Sequence, residues 1–181
     1  MKTLGTERLL LRRWARGDVD DLYEYARLPD VGPHAGWLPH ANREESLNVI
    51  VYGLMPSDYQ WAIVLRENQR VIGSIGLGED KKRSVANARA LGYSLSKHYW
   101  HRGLMTEAAL RVLHYAFVDL QFAQLACYHY EDNVASRRVI EKCGFRFEGV
   151  LRRCSQLANG VVHDDWCYSM TRDEYLHLHG G

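Results

Sequence analysis

The sequence predicts an α/β fold, a mixed sheet flanked by helices, in a single domain over residues 1–181. Segments of strand length alternate with segments in which apolar residues recur at intervals of three and one, the spacing of a helix face. The chain has 46% hydrophobic and 25% charged residues, as expected for an ordinary globular domain of this length. It contains no internal repeat and no linker rich in Pro, Gly and Ser, so a second domain is not expected.

The first half of the chain is predicted to contain a strand, two helices and a hairpin. Asp18 belongs to the residue types that cap helices, because its carboxylate accepts hydrogen bonds from amide groups that are unpaired at a helix start. A second helix presents an apolar face and ends at Pro56. In order, the predicted elements are strand 8–14, helix 18–26, loop 29–39, helix 42–55 and strands 61–65 and 71–77.

The second half is predicted to alternate strands with helices. Gly144 suits the left-handed position that closes a short helix, and Asn159-Gly160 is a strong signal for a hairpin turn. A long helix from Gly103 carries a continuous apolar face that must pack on the sheet. In order, the predicted elements are strand 88–95, helix 103–120, strand 123–130, helix 133–143, strand 145–151 and a final strand ending near 170.

The balance of charges and the distribution of apolar residues indicate which classes of partner the protein is not expected to bind. There are 23 Lys and Arg residues against 22 Asp and Glu residues, a net charge of +1, and no run of like charges of the kind that binds nucleic acid. There is no apolar run of membrane-spanning length, and no apolar segment follows Met1. We therefore expect neither nucleic acid nor a membrane as partner, and we expect a cytoplasmic location.

The four cysteines do not form a metal or redox motif. Cys127, Cys143, Cys154 and Cys167 lie 16, 11 and 13 residues apart, so no C-x-x-C pair is present. A domain of this size does not need disulfides to be stable. We predict reduced thiols in the core, with disulfide pairing as the less favoured alternative, and no metal site.

The connection from strand 88–95 into the helix at Gly103 is the best candidate for a binding site. A helix N-terminus presents free backbone N–H groups, which favour phosphate. Gly103 allows close approach of the backbone, Arg102 adds positive charge and Thr106 adds a hydroxyl. The same pattern occurs in plain turns, and it matches neither the P-loop nor the dinucleotide-binding motif. This feature alone is therefore compatible with two interpretations, an anion-binding site and a turn with a purely structural role.

Two motifs together resemble a known enzyme family. Segment 99–108 reads Tyr-Trp-His-Arg-Gly-Leu-Met-Thr-Glu-Ala, and segment 133–145 begins Asn-Val-Ala-Ser and ends Glu-Lys-Cys-Gly-Phe. They resemble the coenzyme loop and the following N-x-x-S/A helix of the GNAT-type N-acetyltransferases. Segments 6–12 and 159–169 resemble the beginning and the end of the branch that includes ribosomal-protein alanine acetyltransferases (RimJ/RimL-like). The resemblance covers essentially the whole chain.

The resemblance implies a GNAT-like, mostly antiparallel sheet in which parallel strands 88–95 and 123–130 splay apart to form a cleft for acetyl-coenzyme A. The pantetheine arm would pair like an added strand with three positions: Tyr93, Ser94 and Leu95. The pyrophosphate would lie on the amides of the next loop: His101, Arg102, Gly103, Leu104, Met105 and Thr106. Trp100 and Met105 depart from the family motif R/Q-x-x-G-x-G/A, but the backbone amides remain.

Asn133 and Ser136 lie at the start of the helix after the second of these strands. The resemblance implies that Asn133 contacts the pantetheine arm and that Ser136 assists the leaving thiolate. Both residue types also favour helix starts, so a purely capping role is the alternative. Ile140 stands where many relatives carry a proton-donating tyrosine, which makes Ser136 the remaining candidate.

The general base is not assigned by the resemblance. Positions where relatives carry glutamate hold Ala90 and, further on, Ser155 or Gln156. His163 and Asp164 are the candidates, with His163 named first because imidazole titrates near neutral pH, and a satisfied surface histidine is the alternative. Three acidic residues are expected to be solvated charges: Glu79, Asp80 and Glu148.

The loop 31–40 lies where relatives form one wall of the acceptor site. Its candidate substrate-binding residues are His34 and Trp37, and a surface loop anchored by Trp37 is the alternative. We therefore predict an N-acetyltransferase that acts on a primary amine, with the α-amine of a protein or peptide favoured. The alternatives are a non-catalytic module that binds acyl-coenzyme A and an enzyme for a polyamine or aminoglycoside. A monomer or a homodimer is expected.

Overall fold

The computed structural model describes residues 1–179, in which eight strands form one sheet. The strands are β1 (Leu4–Gly5), β2 (Leu9–Arg13), β3 (Gln60–Leu65), β4 (Val71–Gly78), β5 (Ala88–Leu95), β6 (Gln124–Tyr130), β7 (Arg146–Gln156) and β8 (Val162–Thr171). Their order across the sheet is β1-β2-β3-β4-β5-β6-β8-β7. Only β5 and β6 pair in parallel among these strands, which confirms the predicted mixed, mostly antiparallel sheet.

Helices cover both faces of the sheet. Within residues 1–179 the α-helices are α1 (Val19–Ala26), α2 (Arg43–Asn48), α3 (Leu104–His114), α4 (Val134–Lys142) and α5 (Arg172–His179). The helices α2 and α3 continue as π-helical turns, Val49–Leu54 and Tyr115–Asp119. One buried cluster joins α3, α4 and α5 to the sheet, and a second joins α1 to β2, β3 and β4 on the other face.

Two elements lie outside the predicted set. The short strand β1 pairs with β2, and α5 follows β8 directly. The start of α5 is a capping box, because Glu174 Oε2 accepts from the Thr171 amide (2.8 Å) while Thr171 Oγ1 accepts from the Glu174 amide (3.3 Å). The spacing Thr-x-x-Glu was therefore a readable signal for this helix.

Asp18 precedes α1 as predicted, but the prediction that it caps α1 is wrong. Its carboxylate accepts from the Ala15 amide (2.8 Å) and from the Arg12 guanidinium (2.7 and 2.8 Å), and makes no capping bond to α1. It closes the 3₁₀ turn that leads into the helix. A nearby arginine competes for a carboxylate with the strength of a charge-assisted hydrogen bond, which position in the sequence does not reveal.

The cysteines are free thiols throughout the described chain. Three are buried, and the prediction of a core position is wrong for Cys154, which is exposed on β7. Burial raises the pKa of Cys127 and of Cys143 to about 12. Both thiols are therefore protonated near neutral pH and are poor nucleophiles.

The described residues contain neither a membrane-spanning helix nor a metal-binding cluster. In residues 1–179 no helix is both long and apolar enough to cross a bilayer. No group of three His, Cys, Asp or Glu side chains in the same range is arranged to hold a metal ion. The predicted single domain also includes Gly180 and Gly181, which lie outside the described residues.

Candidate functional site

The parallel strands β5 and β6 diverge half-way along their length. Residues 88–91 of β5 pair with residues 124–127 of β6. Beyond that point β5 pairs with β4 as far as Leu95, and β6 pairs with β8 as far as Tyr130. The backbone N–H and C=O groups that face the gap therefore have no strand partner, and an extended ligand containing amides can satisfy them.

A cavity of about 450 Å³ opens at this divergence. Its volume lies within the range of sites for small molecules and coenzymes. It is bounded by the end of β5, the connection into α3, the start of α4 and the loop after α1. Most of the residues predicted from the sequence line it: His34, Tyr93, Ser94, Leu95, His101, Gly103, Leu104, Met105, Thr106, Asn133 and Ser136.

A second depression, of about 600 Å³, lies along α2. It is a shallow groove that is mostly open to solvent, and its lining includes Asn42, Glu44 and Glu45. Ligand sites are typically concave and largely enclosed. We therefore assign the candidate site to the cavity between β5 and β6.

The loop between β5 and α3 has an unusual backbone. His101 and Gly103 both adopt left-handed conformations, with φ of +59° and +74°. The indole N–H of Trp100 donates to the carbonyl of Leu95 (2.8 Å), which ties the loop to the end of β5. Residues 104–106 form the first turn of α3, where amides have no partner within the helix, and they line the cavity. This helix start is suited to binding phosphate.

The N-terminal segment holds this loop in place through Glu107. The Glu107 carboxylate accepts hydrogen bonds from the Thr6 hydroxyl (2.6 Å), the Arg8 amide (3.0 Å) and Arg8 Nε (2.7 Å). Arg8 also donates to the carbonyl of Arg102 (3.0 Å). We call Thr6, Arg8 and Glu107 the N-terminal clamp. Burial opposes ionisation of Glu107, but the hydrogen bonds from Thr6 and Arg8 outweigh it and lower the pKa of this carboxyl.

The clamp gives segment 6–12 a structural role beside the cavity. A left-handed conformation at a residue other than glycine costs about 1–2 kcal/mol, and it persists where neighbouring contacts hold it. The clamp supplies such contacts next to His101. Arg8 forms hydrogen bonds both to the carbonyl of Arg102 and to Glu107 in the first turn of α3. The side chain of Arg102 lies 5.6 Å from the ring of Tyr99 and is not part of the lining described above.

Asn133 connects the start of α4 with the loop after α1. Its Oδ1 accepts from the Ser136 amide (3.0 Å), and its Nδ2 donates to the carbonyl of His34 (3.2 Å). The capping role considered for Asn133 is therefore present in the structure. The hydroxyl of Ser136 lies 2.9 Å from the hydroxyl of Tyr93, and both residues line the cavity.

The loop after α1 places His34 and Trp37 differently. His34 lines the cavity, with Nδ1 3.2 Å from the Asp30 carbonyl and Nε2 3.6 Å from the Asp132 carboxylate. Trp37 packs on the cluster around α1, and its ring centroid lies 5.1 Å from that of His40. In the part of the chain that the structure describes, Trp37 is not among the lining residues. It anchors the loop.

His163 lies on β8, outside the lining as it is described for residues 1–179. Its ring stacks on Tyr130 with centroids 4.2 Å apart. Both ring nitrogens are buried, and neither has a hydrogen-bond partner within the described residues; Nδ1 is 3.6 Å from the carboxylate of Glu131. A base must reach the proton it removes directly or through a water molecule, and this packing gives His163 no direct route to the cavity.

Two basic residues in the lining were missed by sequence reasoning. Arg138 and Lys142 lie one helical turn apart on α4 and face the cavity with Ala135 and Val139. The i, i+3, i+4, i+7 spacing of these four residues was a readable signal, because it places them on one face of a helix. Arg138 and Lys142 give the cavity wall the positive charge that the sequence analysis ascribed to Arg102.

Asp80 is buried, contrary to the expectation of a solvated charge. Only 5% of the residue is exposed, and its carboxylate accepts from the hydroxyl of Tyr128 (2.8 and 2.9 Å). Glu148 accepts from Ser169 (2.8 Å) and pairs with Arg83. These contacts attach the β4–β5 connection to β6, β7 and β8, so both carboxylates have structural partners.

Comparison with known proteins identifies the family. The sequence matches the family model described as Acetyltransferase (GNAT) domain over residues 8–146. The chain belongs to the GNAT acetyltransferase family. "Uncharacterized N-acetyltransferase p20" of Bacillus licheniformis is 28% identical over an alignment of 180 positions, which covers 97% of this chain and 99% of that protein. The family and this relative indicate an N-acetyltransferase, in agreement with the prediction from the sequence.

Solved GNAT structures share the fold. An acetyltransferase (GNAT family) from Bacillus anthracis matches with a TM-score of 0.85 and 23% identity, covering 96% of this chain and 100% of that one. Ribosomal-protein-S5-alanine acetyltransferase from Vibrio fischeri matches with a TM-score of 0.76 and 19% identity, covering 97% of this chain and 99% of that one. At these identities the likeness shows a common fold.

GNAT acetyltransferases use acetyl-CoA as acetyl donor and an amine as acceptor. The cavity suits such a donor chemically. The unpaired edge of β5 matches the amides of a pantetheine arm, and the free amides of the first turn of α3 match a pyrophosphate. Arg138 and Lys142 add positive charge for an anionic ligand.

Proposed function

We propose that this GNAT enzyme transfers the acetyl group of acetyl-CoA to the free α-amine of a peptide or protein. The observation that carries the proposal is the convergence of three features on one cavity: the unpaired edge of β5, the free amides of α3 and the hydroxyl of Ser136. The first two bind a donor of pantetheine chemistry. The third lies where a leaving sulfur can be stabilised.

The donor is bound mainly by backbone groups in this proposal. The pantetheine arm lies along Tyr93, Ser94 and Leu95, and the pyrophosphate lies on the amides of residues 101–106. Arg138 and Lys142 contribute charge to the phosphates. Because backbone amides supply the donors, Trp100 and Met105 can replace the residues of the family motif without loss of binding.

Acetyl transfer is a direct attack on the thioester. The lone pair of the neutral amine forms a bond to the carbonyl carbon, the C–S bond breaks, and the thiolate leaves with its electron pair. The backbone N–H of Leu95 polarises the carbonyl oxygen, and the Ser136 hydroxyl donates a hydrogen bond to the sulfur as charge develops on it. The attacking nitrogen becomes positively charged when the bond forms, and it loses its extra proton to solvent to give the neutral amide.

The lining, as described for residues 1–179, contains no glutamate, and its imidazoles are those of His34 and His101. Its carboxylates, within residues 1–179, are Asp30, which pairs with Lys97, and Asp132, which lies 3.6 Å from His34. An amine with a pKa near neutrality needs the least help from a base. The ribosomal-protein-S5-alanine acetyltransferase from Vibrio fischeri, which shares the fold, is named for a protein substrate. We propose that this chain shares that class of acceptor, in keeping with the resemblance of its sequence to the RimJ/RimL-like branch.

Release of free thiol from acetyl-CoA across a panel of amines tests the proposal. The panel contains a peptide with a free α-amine, a polyamine and an aminoglycoside, with hydrolysis in the absence of an amine as control. We expect the fastest release with the peptide. Faster release with the polyamine or the aminoglycoside would contradict the α-amine assignment. Coenzyme binding without release for any amine would identify a binding module instead.

Ser136→Ala should lower kcat about 10- to 100-fold and change the KM for acetyl-CoA much less. The hydrogen bond to sulfur forms as the C–S bond breaks, and a hydrogen bond to a charged group contributes about 1.5–3 kcal/mol. Steady-state kinetics with the α-amine peptide measure both constants. Ser57→Ala, away from the cavity, is the control. An unchanged kcat in Ser136→Ala would assign Ser136 to the helix start alone.

Glu107→Gln should weaken coenzyme A binding several-fold and lower the free energy of unfolding by about 1–3 kcal/mol, because the clamp loses its charge-assisted hydrogen bonds. Since the pKa of Glu107 is lowered on folding, its contribution to stability is present above its unfolded pKa and is lost as pH falls through the lowered value. In the variant, the free energy of unfolding should therefore lack the decrease at low pH that protonation of Glu107 causes in the wild-type protein.

Asp119→Asn is the matched control for this variant. Asp119 also binds the N-terminal segment, through Lys2 (2.7 Å), but at the far end of the same helical segment. Calorimetric titration and denaturant unfolding measure the two effects. Equal coenzyme affinity in the Glu107 variant and the wild-type protein would show that the clamp does not shape the loop.

A further inference from the structure

The hydroxyl of Ser136 is held by a tyrosine from the neighbouring strand. Tyr93 extends from β5 towards α4, and its hydroxyl lies 2.9 Å from Ser136 Oγ and 3.3 Å from the Ser136 carbonyl oxygen. On its other side, the Ser136 amide donates to Asn133 Oδ1 (3.0 Å). Backbone and side chain of Ser136 are thus both restrained at the cavity wall.

Either hydroxyl can be the donor at this distance, and the surroundings of Tyr93 favour the phenol as donor. Its hydroxyl is buried beside Cys127 and Cys143, and burial raises the pKa of Tyr93 well above the ordinary value. The phenol therefore keeps its proton, and the oxygen atoms it contacts are Ser136 Oγ and the Ser136 carbonyl oxygen. The Ser136 carbonyl already accepts the intrahelical bond from the amide four residues on, and its contact with Tyr93 is the longer one. The better acceptor for Tyr93 is Ser136 Oγ.

We propose that Tyr93 is a positioning residue for acetyl transfer: by donating a hydrogen bond to Ser136 Oγ, it leaves the proton of Ser136 free to point at the departing sulfur. The proposal rests on the proposed function, in which Ser136 assists the thiolate. Without the phenol, the Ser136 hydroxyl can rotate towards its own helix, as serine side chains commonly do. Tyr93 acts through Ser136 and does not give up its own proton.

This arrangement accounts for a departure seen in the sequence. Ile140, at the position where the family resemblance places a tyrosine, is 1% exposed and belongs to the core between α4 and the sheet. Its side chain has no polar atom with which to assist a thiolate. A tyrosine from β5, forty-three residues before Ser136, occupies the other side of the same helix start. The hydroxyl pair therefore combines a strand residue with a helix residue.

Tyr93→Phe tests the proposal, because phenylalanine keeps the ring and removes the hydroxyl. With the α-amine peptide as acceptor, kcat should fall about tenfold, while the KM for acetyl-CoA and the Kd of coenzyme A stay within about twofold. In a Ser136→Ala background the same substitution should have no further effect on kcat. Tyr175→Phe, which removes a buried hydroxyl 3.4 Å from His114 and remote from the cavity, is the control.

The outcomes separate the two proposals. Wild-type kinetics in Tyr93→Phe, or effects of Tyr93→Phe and Ser136→Ala that add, would overturn the positioning role and leave the proposed function standing. If Tyr93→Phe lowered both the affinity for coenzyme A and the thermal stability but left kcat unchanged, the role of Tyr93 would be structural only. If the wild-type protein releases no thiol with any amine in the panel, the proposed function fails, and the role of Tyr93 fails with it.

Discussion

Replacing Gly103 with valine is expected to weaken coenzyme A binding about 100-fold while the protein stays folded. At φ of +74° a β-branched residue is strained by about 1–3 kcal/mol, so the loop will relax away from the conformation that presents the α3 amides. A Cβ at this position meets the Arg8 guanidinium at 3.7 Å, an ordinary contact, so the fold has room for it. The loss of about two amide–phosphate hydrogen bonds accounts for the expected change.

Gly160→Val is the matched control for this variant. Gly160 also has a left-handed backbone, with φ of +87°, but it lies in the turn between β7 and β8, away from the cavity. Both variants should lose a similar amount of stability in denaturant unfolding, and only Gly103→Val should lose affinity in calorimetric titration. An unchanged dissociation constant in folded Gly103→Val protein would remove this loop from the site.

A peptide with a free α-amine is expected to outcompete the same peptide with a blocked N-terminus and one free lysine. Near pH 7.4 an α-amine of pKa about 7.8 is neutral in about a quarter of molecules, whereas a lysine of pKa about 10.4 is neutral in about one in a thousand. The difference corresponds to about 3.5 kcal/mol of deprotonation. Without a strong base to supply this energy, the preference should be on the order of 100-fold in kcat/KM.

The rate with the α-amine peptide should rise between about pH 7 and pH 8.5, because the amine loses its proton in this range. Product mapping by mass spectrometry, with both peptides in one reaction, measures the preference, and the pH profile is measured with each peptide alone. A preference for the lysine peptide would contradict the α-amine assignment and would imply a base. His34→Gln, which removes an imidazole that lines the cavity beside Asp132, would then be the first variant to make.

The loop before α3 could be predicted from the sequence as a candidate anion site because its determinants are local. A strand, Gly103 and the apolar face of α3 lie within one stretch of chain, and the start of any helix presents free amides that can bind an anion. The divergence of β5 and β6 was expected from the family resemblance. The basic face of α4 could have been read from the spacing of Arg138 and Lys142, which follows the helix period.

The contacts that hold the site in position could not be read from the sequence, because they join distant segments. Thr6 and Glu107 are 101 residues apart, and Tyr93 and Ser136 are 43 residues apart. The sequence around each of these residues gives no indication of which distant residue it contacts. For His163 the sequence suggested a role that the packing does not support. Its residue type suggested a base, but packing on Tyr130 buries both ring nitrogens. Residue type predicts what a side chain can do, and tertiary packing decides whether it is in reach of the substrate.

A crystal structure of the protein with coenzyme A tests the central claim most directly. We predict that the pantetheine arm lies in the gap between β5 and β6 and pairs with the backbone of residues 93–95. The pyrophosphate should accept hydrogen bonds from the amides of residues 101–106, and the sulfur should lie within hydrogen-bonding distance of Ser136 Oγ. Coenzyme A bound outside this gap, or with its sulfur turned away from Ser136, would contradict the account.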